Sequence, residues 1–370
     1  MTVDGLRIKS IEPLAVSLPM LKPVIMAGEE VRQADNVLVR IEADNGVVGW
    51  GEAASAPVMT GETLESIVSA IHYLSSALHG RDATDIAGAL AAMDGRMYGN
   101  HGAKAAIEIA LHDLTGRATG KPVHAMLGDK KRSRMPLLGV IGGGDYDGDL
   151  RDAEKKKAAG FTAYKIKVGI DTPENDAART RDICKVLGSG MLISADANQG
   201  FTTEHALTYV RAVKGSGLDF FEQPVAADDL DGMASVAAAT DIAIGADEGI
   251  HSLHDIEAHA TAGAGGVSLK LIKLGGLSAA LAAGALCRRL GLAVNIAAKM
   301  SESSLASAAA VHLACAVENI DWGVSLTHFY LAEDIVRQPL AMSNGLVSLP
   351  LGAGLGVDID EAAVARLRAD

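Results

Sequence analysis

Asp196, Glu222 and Asp247 follow one another at steps of 26 and 25 residues, and Lys270 comes 23 residues later. Upstream stand Lys165 and Lys167, two residues apart, while Asn198 and Glu248 accompany the first and third acids. Carboxylates are hard oxygen donors, which suits Mg²⁺ better than a softer ion. Three of them leave room for water and for a bidentate anionic substrate. A partly desolvated lysine beside a divalent cation has a lowered pKa and can act as a general base. Together these parts suit one kind of chemistry. A carbon acid next to a carboxylate is weak. A divalent cation on that carboxylate stabilises the doubly charged enolate, and a nearby lysine takes the proton.

The elements that must position these residues can be read from the runs before them. Each residue closes an apolar, β-prone run: 161–164, 191–194, 218–221, 242–245 and 266–269. Between the runs lie Ala-, Leu- and charge-rich stretches with helical periodicity. Such a spacing holds one strand, one loop and one helix, so the pattern is a repeating (β/α) unit. In a barrel of such units the C-terminal strand ends meet at one mouth, which would gather three acids between flanking lysines. Lys165 shares a strand face with Lys167, since residues two apart point the same way. From there it can lower the Lys167 pKa and touch substrate. Asn198 is a candidate to hydrogen-bond a ligand carboxylate.

The N-terminal part reads differently. Residues 6–52 alternate as antiparallel strands around the turn Asp44-Asn45-Gly46. Helical patterns follow at 64–78, 83–97 and 104–119, the last stopped by Gly120-Lys121-Pro122. Strands followed by helices indicate an α+β domain. Strand–helix alternation starts near Met135–Ile141 and runs to about Trp322. The tail piece Gly345–Pro350 is too short for another barrel unit and is expected to pack on the N-terminal domain.

The chain has 370 residues, enough for two domains, and a net charge of −13, which disfavours nucleic acid or an anionic membrane as partner. Cys184, Cys287 and Cys315 are scattered without metal or disulfide spacing. The N-terminus lacks a basic, then apolar leader, and no run approaches roughly 18 apolar residues, so a soluble, cytoplasmic protein is expected. Gly142–Gly144 lacks the Gly-Lys-Ser/Thr or GxGxxG continuation of a nucleotide loop, so no nucleotide cofactor is expected. His251, His254 and His259 lack HExxH spacing and read as loop and helix residues. No GxSxG or Cys/His nucleophile arrangement is evident.

Taken together, Lys165-x-Lys167, Asp196-x-Asn198, Glu222-x-Pro224, Asp247-Glu248 and Lys270–Gly276 resemble the signatures of the enolase superfamily, in its muconate lactonizing enzyme subgroup. Gly49–Glu52 and Ala105–Leu114 match as well, so the resemblance covers nearly the whole chain. It implies an α/β fold: a modified TIM barrel, (β/α)7β, with an N-terminal α+β capping domain. The capping domain would be 1–133, completed by 326–370, and the barrel 134–325. Loops 19–32 and 54–61 would shape specificity. The resemblance also implies Mg²⁺ on Asp196, Glu222 and Asp247, replaceable by Mn²⁺, with Lys167 and Lys270 as acid–base lysines and Lys165 assisting. A homo-oligomer acting on a small carboxylate is expected.

Cycloisomerisation, racemisation or epimerisation, and syn elimination all use these parts. A sugar-acid dehydratase would need a His-Asp pair where Lys270 stands. A non-catalytic metal-binding protein should have lost a ligand or lysine, and none is lost. Members resembling dipeptide epimerases carry Asp-x-Asp after the last barrel strand, which binds the substrate ammonium. The matching segment here is taken as Ile320–Gly323, with Gly323 at the second acid position, which argues against a dipeptide. Trp322-Gly323-x-x-Leu326, followed by Tyr330–Ile335, is closer to the cycloisomerase pattern. Lys299, at the end of the seventh strand, has two open readings: a partner for a second substrate carboxylate, or an ion pair with Glu302. Glu302 is also a candidate to orient Lys270.

Overall fold

A computed structural model describes residues 6–26, 29–142, 145–300 and 302–369. Gly143, Gly144 and two residues of the expected loop 19–32 lie outside the described residues. The chain opens with an antiparallel sheet of β1 (Ile8–Met26), β2 (Glu29–Ala43) and β3 (Val48–Ala54), in that order. Gly46 closes the β2–β3 turn at φ +83°, a backbone conformation that favours glycine. β1 and β2 stay paired from Ser17/Asp35 out to Met26/Glu29, with one irregularity after Pro19. Most of the expected loop 19–32 is therefore the far end of a long hairpin.

Five helices follow: α1 (Pro57–Thr60), α2 (Leu64–Leu78), α3 (Ile86–Arg96), α4 (His101–Thr119) and α5 (His124–Leu127). α4 lies directly on β3. A Cβ on Gly51 would come within 2.0 Å of the Ala106 carbonyl oxygen, and one on Gly49 within 2.3 Å of that of Ala110. Only glycine lets backbone approach backbone this closely.

β4 (Arg134–Pro136) and β5 (Leu138–Ile141) split a run that reads as one strand in sequence. Only β5 enters the barrel, which continues as α6 (Tyr146–Ala158), β6 (Ala163–Lys167), α7 (Pro173–Leu187), β7 (Leu192–Asp196), α8 (Thr203–Ala212) and β8 (Phe220–Glu222). Then come α9 (Leu230–Ala238), β9 (Ala243–Ala246), α10 (Leu253–Thr261), β10 (Gly266–Leu269), α11 (Leu271–Leu274), α12 (Leu277–Leu290), β11 (Ala293–Ala297), α13 (Ser304–Ala316) and β12 (Val324–Ser325). The eight strands β5 to β12 pair in sequence order, and a parallel bridge between Leu137 and Val324 closes the ring. This is a (β/α)7β barrel. Among the described residues no helix is long and apolar enough to cross a membrane.

The foot of the barrel is plugged. Leu138, Ala163 and Phe220, first residues of their strands, are buried with Trp322, whose ring stacks on Phe220 at 3.9 Å and 2°. A Cβ on Gly266 would meet the Trp322 ring at 2.5 Å, so β10 must start on glycine.

The tail contains β13 (Met342–Ser343), β14 (Leu346–Ser348) and α14 (Glu361–Arg366). β14 pairs with β4, which offers a free antiparallel edge just before the barrel. The residues after β14 reach the N-terminal domain. Arg368 bridges Val16, and the Leu355 amide donates to Asp113 on α4 at 2.8 Å.

Candidate active site

Ile166, Ala195, Phe221 and Leu269 pack in the apolar layer between strands and helices. Alternation therefore aims their neighbours toward the barrel axis. Lys167, Asp196 and Glu222 stand in register on β6, β7 and β8. Asp247 and Lys270 lie one residue beyond β9 and β10. The backbone just past the first two acids is forced. Asn198, Gln199 and Gln223 hold φ of +42°, +68° and +36°. Such strain costs about 1–3 kcal/mol per residue and persists only where its surroundings over-determine it. Here the Gln223 Oε1 accepts from the Asp247 amide at 2.8 Å, its Nε2 donates to Val225 O at 2.9 Å, and Gln199 Oε1 accepts from the Ala227 amide at 2.9 Å.

Lys165, Lys167, Asp196, Glu222, Asp247 and Lys270 gather at the barrel mouth. Lys167 Nζ donates to Asp196 Oδ2 and Asn198 Oδ1, both at 2.6 Å. Lys165 Nζ is wedged between Asp196, at 3.6 Å, and Glu222, in close contact. Lys270 Nζ donates to Asp247 Oδ2 at 2.5 Å. Asn198 ties the set together, giving its amide to Asp196 and its Nδ2 to Glu248 Oε1, each at 2.9 Å. Lys167 is the most open of these ammoniums, with 27% of its side chain exposed against 6–7% for Lys165 and Lys270.

The electrostatics follow from packing carboxylates and ammoniums together in a buried mouth. Burial opposes ionisation of Asp247, but Lys270, Lys273 and Lys165 outweigh it and hold its carboxyl low. Asp196 is likewise held low, against burial, by Lys167 and Lys165. Glu222 is pushed up by burial and by the two aspartates. Glu248 rises to about 7, through burial and then Asp247. Lys165 and Lys270 are raised, since the surrounding carboxylates outweigh burial.

The donor set fits a hard divalent cation: three buried carboxylates carried by neighbouring strand ends, with the Lys165 ammonium against Glu222 Oε2. The described acids are not drawn into one coordination shell as they stand. Lysine ammoniums occupy the positions between them.

Three expectations change. Asp321-Trp322-Gly323 lies at the foot of the barrel, not at the mouth. The Trp322 amide bonds Val294 O low on β11, and the Asn295 Nδ2 bonds both Trp322 O and Gly323 O at 3.0 Å. Gly323 (φ +67°) cannot stand for a substrate-facing acid, since a Cβ there would lie 2.8 Å from Pro136 O. At the mouth, strand eight delivers residues 326–331, which contain no acid. Next, no hydrogen bond joins Glu302 to Lys270 among the described residues. Asp247 holds Lys270 by a hydrogen bond, and Glu302 feels the Lys270 ammonium only through its charge. Finally, Lys299 and Glu302 make no ion pair within 4.0 Å, although each feels the other's charge.

The histidines serve structure. His251 Nε2 bonds the carbonyl of Met59 at 2.8 Å, tying segment 54–61 to the mouth, and His259 Nδ1 bonds Asp255 O. Two functional residues escaped sequence reasoning. Lys273 is fully buried and holds Asp247 Oδ1 at 2.7 Å, and Ser268 donates to Glu222 Oε1 at 2.7 Å. Lys273 could have been found from its i+3 spacing to Lys270, had a helical turn been expected immediately after β10.

Residues 11–128 match the family described as mandelate racemase / muconate lactonizing enzyme, N-terminal domain, and residues 149–363 match enolase C-terminal domain-like. The chain is 35% identical to an L-Ala-D/L-Glu epimerase of Bacillus subtilis (strain 168), across 95% of this chain and 97% of that protein. It is 31% identical to a chloromuconate cycloisomerase of Delftia acidovorans, across 96% and 97%. Its structure superposes on that of muconate lactonizing enzyme from Pseudomonas fluorescens complexed with muconolactone with a TM-score of 0.94, at 29% identity, covering 98% of this chain and all of that one.

Proposed function

The chain belongs to the mandelate racemase/muconate lactonizing enzyme family of the enolase superfamily, and from that premise we propose that it removes a proton α to the carboxylate of a small acid. It is an isomerase, and a muconate-cycloisomerase-like reaction is the leading reading. One observation carries it. Lys167 and Lys270 come from opposite flanks of the carboxylate cluster, and each is hydrogen-bonded to a different acid. Asp196, Glu222 and Asp247 would hold Mg²⁺, or Mn²⁺ in its place, which when bound supplies charge neutralisation at the substrate carboxylate.

The chain's own groups do the rest. Asp196 and Asn198 fix the Lys167 amine, and Asp247 fixes that of Lys270, so a substrate carbon between them meets a proton carrier on each face. Lys165 opposes the push of burial on Glu222, and Lys273 helps Lys270 hold Asp247 anionic. In cycloisomerisation one lysine handles the proton and the other offsets negative charge. Racemisation or epimerisation is the second reading, favoured by the near-equivalent tethering of the two lysines. Residues 326–331 offer no acid for a dipeptide ammonium, which supports an acid without one. The same reading expects a cytoplasmic homo-oligomer.

The test is incubation with Mg²⁺ in D₂O over a library of mono- and dicarboxylates and N-acyl amino acids. Deuterium should appear α to a carboxylate and stop with excess chelator. Exchange that persists in chelator, or no exchange in any acid by folded, Mg²⁺-loaded protein, would overturn the proposal.

A further inference from the structure

Arg179 stands on α7, the helix that follows β6, and is buried together with Asp149 of α6 and Asp176 of its own helix. Its guanidinium makes three hydrogen bonds at once. Nη1 donates to Asp149 Oδ2 at 2.9 Å, and Nη2 donates to Asp176 Oδ1 at 2.7 Å. Nη2 also donates to the main-chain oxygen of Lys167, at 2.7 Å. Asp176 in turn holds the turn that leaves β6. Its Oδ2 accepts from the amides of Gly169, Ile170 and Asp171 at 2.7, 3.2 and 3.4 Å.

A buried ion cluster of this kind adds little stability over apolar side chains of the same volume. What it adds is direction, because the guanidinium fork is planar and rigid and fixes where its acceptors lie. One of those acceptors belongs to a mouth lysine. The rest of the Lys167 backbone is held closely too. The next amide, Val168, donates to Asp196 O at 2.9 Å, and a Cβ on Gly142 would lie 2.7 Å from that of Lys167. Lys270 is braced differently: its carbonyl accepts from the Lys273 and Leu274 amides at the start of α11. Lys167 ends its strand five residues before α7 begins, so no helical turn performs that service. Its side chain is also the most open of the three mouth lysines, so its aim depends on its base.

We propose that Arg179 is a positioning residue for Lys167. It fixes the height and direction at which the lysine leaves β6, so that the amine meets Asp196 and Asn198 and stands on its own face of the substrate carbon. This rests on reading Lys167 as a proton carrier. A displacement of about 1 Å at such a group costs on the order of a hundredfold in rate.

The test is Arg179→Lys in the Mg²⁺-loaded full chain. Lysine keeps the charge between Asp149 and Asp176 but lacks the fork that also reaches the Lys167 oxygen. Trace labelling with acetic anhydride, read lysine by lysine by mass spectrometry, should modify Lys167 severalfold faster than in wild type and leave Lys270 unchanged. With whichever acid of the D₂O library exchanges fastest in wild type, kcat for α-exchange should fall roughly ten- to a hundredfold, while KM and Mg²⁺ affinity stay near wild type. Arg179→Met combined with Asp149→Asn removes one charge of each sign and should behave likewise, which keeps the test decisive if Arg179→Lys does not fold. Unchanged Lys167 labelling in a folded variant overturns the proposal. So does exchange at the wild-type rate despite faster labelling. Equal acceleration at Lys270 also overturns it, leaving Arg179 a support of the fold alone. If wild type exchanges no acid, the α-proton reading fails by itself, and the labelling still decides whether Arg179 places Lys167.

Discussion

Glu222 is the acid most exclusively devoted to the centre of the mouth, because its partners, Lys165 and Ser268, lie inside the barrel. Glu222→Ala should therefore abolish Mg²⁺ binding measured by calorimetry while leaving the circular dichroism spectrum unchanged. Retained Mg²⁺ affinity would refute its place in the donor set. Lys270 differs, since removing it leaves Asp247 still paired with Lys273. Lys270→Ala should lower α-exchange by about 10²–10⁴-fold, the range of a lost general acid–base group, with Mg²⁺ binding intact. If the enzyme racemises its substrate, exchange should stop from one enantiomer and survive from the other, and Lys167→Ala should show the opposite preference. Full activity in both single variants would remove the two-lysine mechanism.

Between elements, charged residues of the N-terminal motifs act as caps for barrel helices. Glu52 accepts from the Ser303 amide at 2.9 Å and the Ala306 amide at 3.0 Å at the start of α13, where the helix dipole favours an anion. Glu108 accepts from the Ser278 amide at 2.9 Å at the start of α12. Gly276, just before that helix, has φ +130°, and a Cβ there would lie 1.7 Å from Glu108 Oε2. Gly276→Ala should therefore cost roughly 2 kcal/mol or more, read as a lower urea midpoint. His312 on α13 links two further elements. Its Nδ1 accepts from the His124 amide at 3.1 Å, and its Nε2 bonds Leu355 O in the tail at 3.1 Å. Burial first, and His124 beside it, depress its pKa to about 4. Its neutral form is therefore favoured by folding. Its contribution is complete above about pH 6.5 and is lost as pH falls toward 4, on the order of 3 kcal/mol in all. Urea midpoints between pH 4 and 7 should show this slope, and His312→Gln should flatten it.

At the scale of the whole molecule the barrel separates stability from chemistry. Trp322 closes the foot, so Trp322→Ala should cost about 3–5 kcal/mol while α-exchange per folded molecule stays near wild type. Equal loss of both would show that foot and mouth are coupled. The acids, lysines and (β/α) repeat were legible in the chain alone. Parallel barrel strands must end on one face, so residues that close successive apolar runs meet whatever the loops do. Gly49 and Gly51 were visible as a motif, but the reason for them, α4 resting on β3, is a matter of packing. Depth along the axis was not legible. Periodicity states which way a side chain points, whereas its height depends on register with the next strand. Strand eight is two residues long, so only its ladder to β11 shows that Trp322 belongs at the foot and Thr327 at the mouth. Pairing was hidden for the same reason. Lys273 reaches Asp247 through a turn of helix, and Lys299 misses a Glu302 three residues away, because distance in space, not in sequence, decides which charges meet.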